Sequence, residues 1–262
     1  MISLSIDDLF ARTLAGDYDD DAPWEAVDAL RRIGSREVFD RATEWCASTN
    51  PLARARGCDV LAQLGCTVEH PAKMFADESF SLVSRMVGQE TELRPLRSAI
   101  YALGHLDRSA AVPLILSFRS HSDAGVRYAA AFALGCYPDD AGSVQGLLAL
   151  MEDADANVRD WATFGLGVQG NADSPEIREA LLRRLSDEDD ETREEAMAGL
   201  AKRRDISIIP AVIAELDEPP ANLPVLDAAA SLLDIEEDLD DWDEGKYAAA
   251  LRHRFNSQTR VQ

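Results

Sequence analysis

The hydrophobic positions of this 262-residue chain recur at helical spacing, and the helices they predict recur in turn. In residues 126–135 (VRYAAAFALG), Val126, Ala129, Ala130, Ala133 and Leu134 fall on one face of a 3.6-residue helix. The pattern returns in residues 158–167 (VRDWATFGLG), 192–201, 95–104 and 56–65, with weaker copies at 25–34 and 224–233. The aligned Leu or Ile of each copy (Ile33, Leu64, Leu103, Leu134, Leu166, Leu200, Leu232) lies 31 to 39 residues from the next, the length of one helical hairpin. A second amphipathic helix follows each copy, as in residues 143–151, 175–185 and 208–216. The pattern therefore predicts an all-α stack of about seven hairpins.

Local signals agree with the period. Asp123, Asp155 and Asp189 each stand three residues before the first apolar position, where a carboxylate can accept orphan backbone N–H groups. The Gly after the aligned Leu is expected to take the left-handed conformation and stop the helix. The 39-residue spacing marks an insertion at residues 66–79, read as a longer loop or an extended second helix. Residues 1–23 form an N-terminal cap, 24–233 the repeats, and 234–262 an acidic loop with a C-terminal capping helix, all within one array over 1–262. The loop (DIEEDLDDWDE, 234–244) carries eight acids in eleven residues, too dense in like charge to compact.

The pattern D-x-x-V-R-x-x-A-x-x-x-L-G in residues 123–135 and 155–167 resembles the HEAT-repeat superfamily, in particular phycobilisome-lyase HEAT-like repeats. The resemblance covers about residues 24–233 and implies an α-solenoid (an α-α superhelix) of about seven HEAT-like hairpins with terminal capping helices. Residues 158–216 further resemble HEAT-repeat proteins encoded beside bacterial Rhs-type polymorphic toxins and proposed to be their immunity proteins. That implies toxin neutralisation. The lyase-like name implies the alternative of a phycobilin-lyase-like or other cofactor-handling protein, and a general structural adaptor is the third reading.

Charge then narrows the partner. The net charge is −22, distributed as −5 over residues 1–131 and −17 over 132–262. Such a field repels phosphate backbones and anionic lipid, which excludes nucleic acid and membrane as partners and favours a basic protein such as a toxin domain. Cys46, Cys58, Cys66 and Cys136 make no CxxC pair and read as reduced core or surface thiols. The first residues lack a basic stretch followed by an apolar one, so a cytoplasmic location and a monomer when free are expected.

No motif for catalysis stands out. The four histidines have no metal-ligand partner at helical spacing, and no GxGxxG, P-loop, GxSxG or HExxH occurs. No enzyme activity, cofactor or metal is expected. Arg127, Arg159 and Arg193 share one register, each four residues after a capping Asp, and are expected to form a charged ladder between neighbouring repeats. The candidate partner-binding residues are of two kinds. Tyr101, Phe132 and Phe164 share a second register, flanked by Tyr128 and Trp161, and form a candidate aromatic stripe whose bland alternative is packing between helices. Asp160, Asp187, Asp189, Asp190 and Glu194 form a candidate acidic ridge.

Overall fold

The computed structural model describes residues 4–218, 220–235 and 242–259. The chain divides into two compact units, residues 1–142 and 143–262. All regular elements among the described residues are helical, and no helix there is long and apolar enough to cross a membrane.

The first unit runs α1 (Ile6–Thr13), α2 (Asp21–Ile33), α3 (Arg36–Cys46), α4 (Pro51–Ala62), α5 (Ala76–Val87), α6 (Leu93–His105), α7 (Val112–Leu116) and α8 (Ala124–Gly135). Helices α2, α4, α6 and α8 pack in succession, with α1, α3, α5 and α7 against them. Helix starts are fixed by side chains: Ser5, Ser35, Asn50 and Asp123 each accept a backbone N–H of the first turn. The second unit holds α9 (Ala141–Leu150), α10 (Ala156–Phe164), α11 (Pro175–Arg184), α12 (Asp190–Lys202), α13 (Ile209–Leu216), α14 (Leu223–Leu233) and α15 (Glu244–Thr259). Here α10 packs on α12 and α12 on α14, while α15 closes over α13 and α14. Asp155 and Asp189 cap α10 and α12 through the N–H groups of Val158 and Thr192, as the spacing predicts.

The core is built from small residues that let helices approach. Ala99, Ala102, Ala129, Ala130 and Ala133 are fully buried, as are Leu103, Leu134, Leu166 and Leu200. Ile33 is the exception among the aligned positions, at 44% exposed. Its helix starts from the cap Asp20, so this copy is out of register with the others. The same slip affects α4. Its cap is Asn50, which puts Arg54, not Gly57, at the ladder position.

The glycines divide by role. Gly34 and Gly65 take positive φ (59° and 75°); Gly34 caps the end of α2 as expected, whereas Gly65 lies in the turn after α4, which has already ended at Ala62. Gly104 and Gly135 instead stay inside α6 and α8, and Gly167 lies in a single π turn, Gly165–Gln169, that extends α10. Close approach, not handedness, requires Gly there. A Cβ on Gly104 would sit 2.9 Å from Ala133 Cα, and one on Gly199 would sit 2.7 Å from Gly167 Cα. The buried Arg203 guanidinium donates to the carbonyls of Leu166 and Gly167 in the π turn and of Ala172 beyond it.

The charged ladder exists, with different partners from the capping aspartates. Arg159 donates through Nε and Nη2 to both carboxylate oxygens of Asp187 (2.8 and 2.7 Å) and through Nη1 to the Asp153 carbonyl. Arg54 does the same with Glu90 (2.7 and 3.0 Å) and the Ser48 carbonyl. Arg127 and Arg193 each hold the carbonyl six residues back, those of His121 and Asp187. Each Arg thus closes its own interhelix turn, and Arg54 and Arg159 also fasten the following repeat. The insertion resolves as a loop: residues 67–75 carry no helix, and Met74 N–H donates to the Leu64 carbonyl. Of the acidic run at 234–244, residues 236–241 lie outside the described residues; Asp234 ends α14 with φ 60°.

Candidate functional site

In the first unit, α6 and α8 bring three of the candidate aromatics together. Tyr128 and Phe132, one turn apart on α8, both present edges or faces to Tyr101 on α6, at ring-centroid distances of 6.4 and 5.1 Å and near-perpendicular angles of 75° and 79°. His105, one turn beyond Tyr101, stacks edge-on against Phe132 at 5.3 Å. All four are half-buried. The rings therefore pack on one another and keep part of their surface open. Burial pushes the Tyr101 phenol above its usual range. Burial, helped by the charges of Arg31 and Lys73, lowers His105 to about 4, so its imidazole is neutral at pH 7.

Beside these rings lies a cavity of about 290 Å³ lined by Tyr18, Trp24, Arg31, Asp59, Ser98, Tyr101 and His105, among others. Guanidinium groups pack against two of its lining rings, Tyr18 and Trp24. Arg94 and Arg56 lie 4.2 and 4.0 Å from the Tyr18 ring centre, and Arg56 and Arg31 lie 4.9 and 5.8 Å from that of Trp24. Arg56 is fully buried; it donates to the carbonyls of Thr13 and Tyr18 and to Asp59 (3.3 Å), which also accepts the Tyr18 hydroxyl at 2.7 Å. Burial pushes the Asp59 carboxyl up, against the pull of Tyr18 and Arg56. Nothing in the repeat pattern marks this cavity. The signal available was Arg56 and Asp59, two charged residues three apart in a run, residues 55–62, that is otherwise buried and apolar.

In the second unit, Trp161 and Phe164 on α10 pack edge-on at 5.6 Å and are half-buried. Asp160 precedes them, and its carboxyl is raised to about 6 by burial and by the charges of Glu191 and Asp189. Glu195 on α12 is raised further, to about 7, by burial and by Asp160, Glu194 and Glu191. Five carboxylates from α10, the α12 cap and α12 thus share one field. Glu195 is absent from the ridge expected from sequence, although its register in α12 is that of Trp161 in α10.

The other ridge residues have separate duties. Asp190 is solvent-exposed and pairs with Arg193, Asp189 caps α12, and Glu194 accepts from Asn222. Asp187 departs from its expected place. Its side chain is 3% exposed, pinned by Arg159 and Arg184, and accepts the Asp189 N–H, so it braces two repeats and offers no carboxylate to a partner. Among the described residues, no three His, Cys, Asp or Glu side chains are grouped to hold a metal.

Residues 81–167 and 144–233 match the family model described as HEAT repeats. The chain is 26% identical over 243 residues to Protein YibA of Escherichia coli, covering 88% of this chain and 81% of that protein. The X-ray structure of YibA superposes with a TM-score of 0.71 at 23% identity, over 95% of this chain and 92% of that one. A 100-residue stretch, 38% of this chain and 36% of the relative, is 30% identical to phycocyanobilin lyase subunit alpha of Thermosynechococcus vestitus. The CpcE–CpcF complex of phycocyanin lyase from Nostoc sp. is similar in fold, with a TM-score of 0.51 at 15% identity over 97% and 95% of the two chains.

Proposed function

The chain belongs to the HEAT-repeat family, and from that premise we propose a non-catalytic protein-binding scaffold that captures a basic protein. The observation that carries this reading is the unshared acidity of the second unit. Residues 143–262 hold 27 acids against 12 Lys and Arg, and Asp160 and Glu195 sit half-buried in one another's field with their titration displaced upward. A cationic side chain entering beside Trp161 relieves that repulsion and gains a ring face. The resemblance to toxin-linked HEAT proteins makes a bacterial toxin effector the partner class, and the chain its cytoplasmic immunity protein, monomeric when free.

The test is binding kinetics against the basic domain of a secreted protein encoded beside this one. Reversing Asp160, Asp190 and Glu194 to Lys slows association, and added salt does the same, since screening acts over roughly 10 Å at 0.1 M. Trp161→Ala and Phe164→Ala speed dissociation by about thirtyfold, the scale of a lost anchor worth ~2 kcal/mol. Binding indifferent to salt and to all five changes sinks the reading, and so does salt-sensitive submicromolar affinity for random duplex DNA.

A second reading, handling of a small ligand, rests on the cavity between Trp24, Asp59, Tyr101 and His105. It is supported by the partial likeness to the phycocyanobilin lyase subunit, and a coloured protein after incubation with phycocyanobilin would favour it over the first.

A further inference from the structure

We propose that Cys46, Cys58 and Met86 form a binding site for a soft monovalent metal ion, Cu(I). The three sulfurs come from the consecutive helices α3, α4 and α5 of the first unit and meet at Cys58, whose Sγ lies 3.9 Å from Cys46 Sγ and 3.4 Å from Met86 Sδ. A metal–sulfur bond of about 2.3 Å sets two sulfurs about 3.8–4.0 Å apart at tetrahedral to trigonal angles. The thiol pair already stands at that separation. The Met86 thioether lies about half an ångström closer to Cys58 than that separation, and its unbranched side chain can adjust to take the third position. The approach depends on Gly57: a Cβ there would lie 2.8 Å from Cys46 Sγ.

Access and charge are also provided. Cys46 and Met86 line a cavity of about 560 Å³ together with Thr43, Arg54, Arg85 and Glu90. Cu(I) replaces the two thiol protons, forming two bonds to thiolates and one dative bond to the thioether, and releases two protons with no electron transferred. The resulting single negative charge lies beside a cavity lined by Arg85 and by Arg54, itself paired with Glu90, and the buried Thr43 hydroxyl, which has no hydrogen-bond partner, lines the same cavity.

The donor set selects the metal. Thiolate and thioether sulfur favour Cu(I), which accepts three ligands, whereas zinc in a structural site takes four of nitrogen, oxygen or thiolate. Glu90, the nearest carboxylate in the cavity, cannot serve as the fourth. Both its oxygens are held by Arg54, and one also accepts the N–H groups of Thr91 and Glu92.

The experiment is an anaerobic titration of the reduced full-length chain with Cu(I) supplied as its bathocuproine disulfonate complex. One copper per chain is expected, with two protons released, a sulfur-to-copper absorption in the near ultraviolet, and no displacement by Zn(II). Cys46→Ala removes binding, and the volume-conserving Met86→Leu weakens it roughly tenfold or more, at least the effect of losing an outer-shell partner. Cys66→Ser and Cys136→Ser leave it unchanged. Because Cys58→Ser places a hydroxyl in the core, Cys46→Ala and Met86→Leu are the deciding variants, with folding checked by circular dichroism. Failure to hold copper against the chelator overturns the site. So does copper that follows Cys66 or Cys136, indifference to Met86→Leu, or a Cys46–Cys58 disulfide as the only product.

Discussion

The two units carry buried charge in opposite ways. In residues 1–142 the buried carboxylate Asp59 lies against a fully buried Arg56, itself packed against the rings of Tyr18 and Trp24 and bonded to two carbonyls. In residues 143–262 the half-buried Asp160 and Glu195 face Glu191, Asp189 and Glu194, and their neighbours raise their titration instead of lowering it. The stacking of hairpins does not require the second arrangement, because Arg159 and Asp187 brace the same repeats with full pairing. A repeat protein can thus place its compensated charges where helices must stack and leave its uncompensated ones where a partner supplies the cation.

The sharpest way to break this comparison is to remove the cation from the first unit. Arg56→Met leaves Asp59 buried with the hydroxyls of Tyr18 and Ser98 as its side-chain donors and strips two carbonyls of theirs. It should destabilise the protein by about 3–5 kcal/mol, read as a lowered urea midpoint. Arg159→Met makes the matching test in the second unit, where Asp187 loses its bidentate partner; a loss of about 3 kcal/mol is expected there. A cost under ~1 kcal/mol in either variant would mean that these pairs are passengers in the stack.

Next in size is the backbone approach. Gly199→Ala gains about 1 kcal/mol of helix propensity but drives a methyl to 2.7 Å from the Gly167 backbone, which cannot rotate away. A net loss of about 1–2 kcal/mol is expected, and about the same for Gly104→Ala against Ala133. If both substitutions stabilise, the helices have room to spare and these glycines mark nothing but the repeat.

These residues also show what could be read from sequence. The period, the Asp caps and the Ala-rich face gave the helical hairpins, because each depends on residues within a dozen positions of one another. The expected Gly stop was legible at Gly34, which caps α2 with positive φ, while Gly65 takes positive φ in the turn beyond α4. At Gly104 and Gly167 the deciding neighbour belongs to the next repeat, about thirty residues on. Alignment from the Leu–Gly end hid Arg54 as a ladder residue, since the cap of α4, Asn50, lies farther from its Gly than the caps of α6 and α8 do. For the candidate surface, the pattern named the rings and Asp160, which lie half-buried. It misplaced Asp187 because an acid-rich turn gives no sign of which carboxylate Arg159 will take. The cavity beside Tyr18 and the sulfur cluster both join residues from separate helices, and no local spacing announces them.

The smallest effect expected is also the one with a distinctive sign. Asp160 and Glu195 titrate near 6 and 7 in the folded chain, above their ordinary unfolded values of about 3.9 and 4.3. Between about pH 4 and pH 7 these two groups therefore hold more protons in the folded state than in the unfolded one, and their contribution to stability falls as pH rises. His105, lowered to about 4, contributes the opposite slope over about pH 4–6.5, so the difference between variant and wild type is the quantity that isolates them. The paired acids do not mask this. Asp187 and Asp205 are held below their usual range by Arg159 and by Ser207 and Arg178 respectively, so their contributions are lost only at more acidic pH. Because Asp160 and Glu195 are only half-buried and act on each other, solvent screening reduces each contribution to about 1 kcal/mol. Asp160→Asn or Glu195→Gln should then stabilise the chain by about that amount at pH 8, change nothing near pH 4, and flatten the slope between. Urea midpoints for wild type and both variants at pH 4.5, 6 and 8 measure it. Variants that follow the wild-type curve at all three pH values would show that Asp160 and Glu195 carry no uncompensated charge, and would remove the repulsion that a basic partner is proposed to relieve.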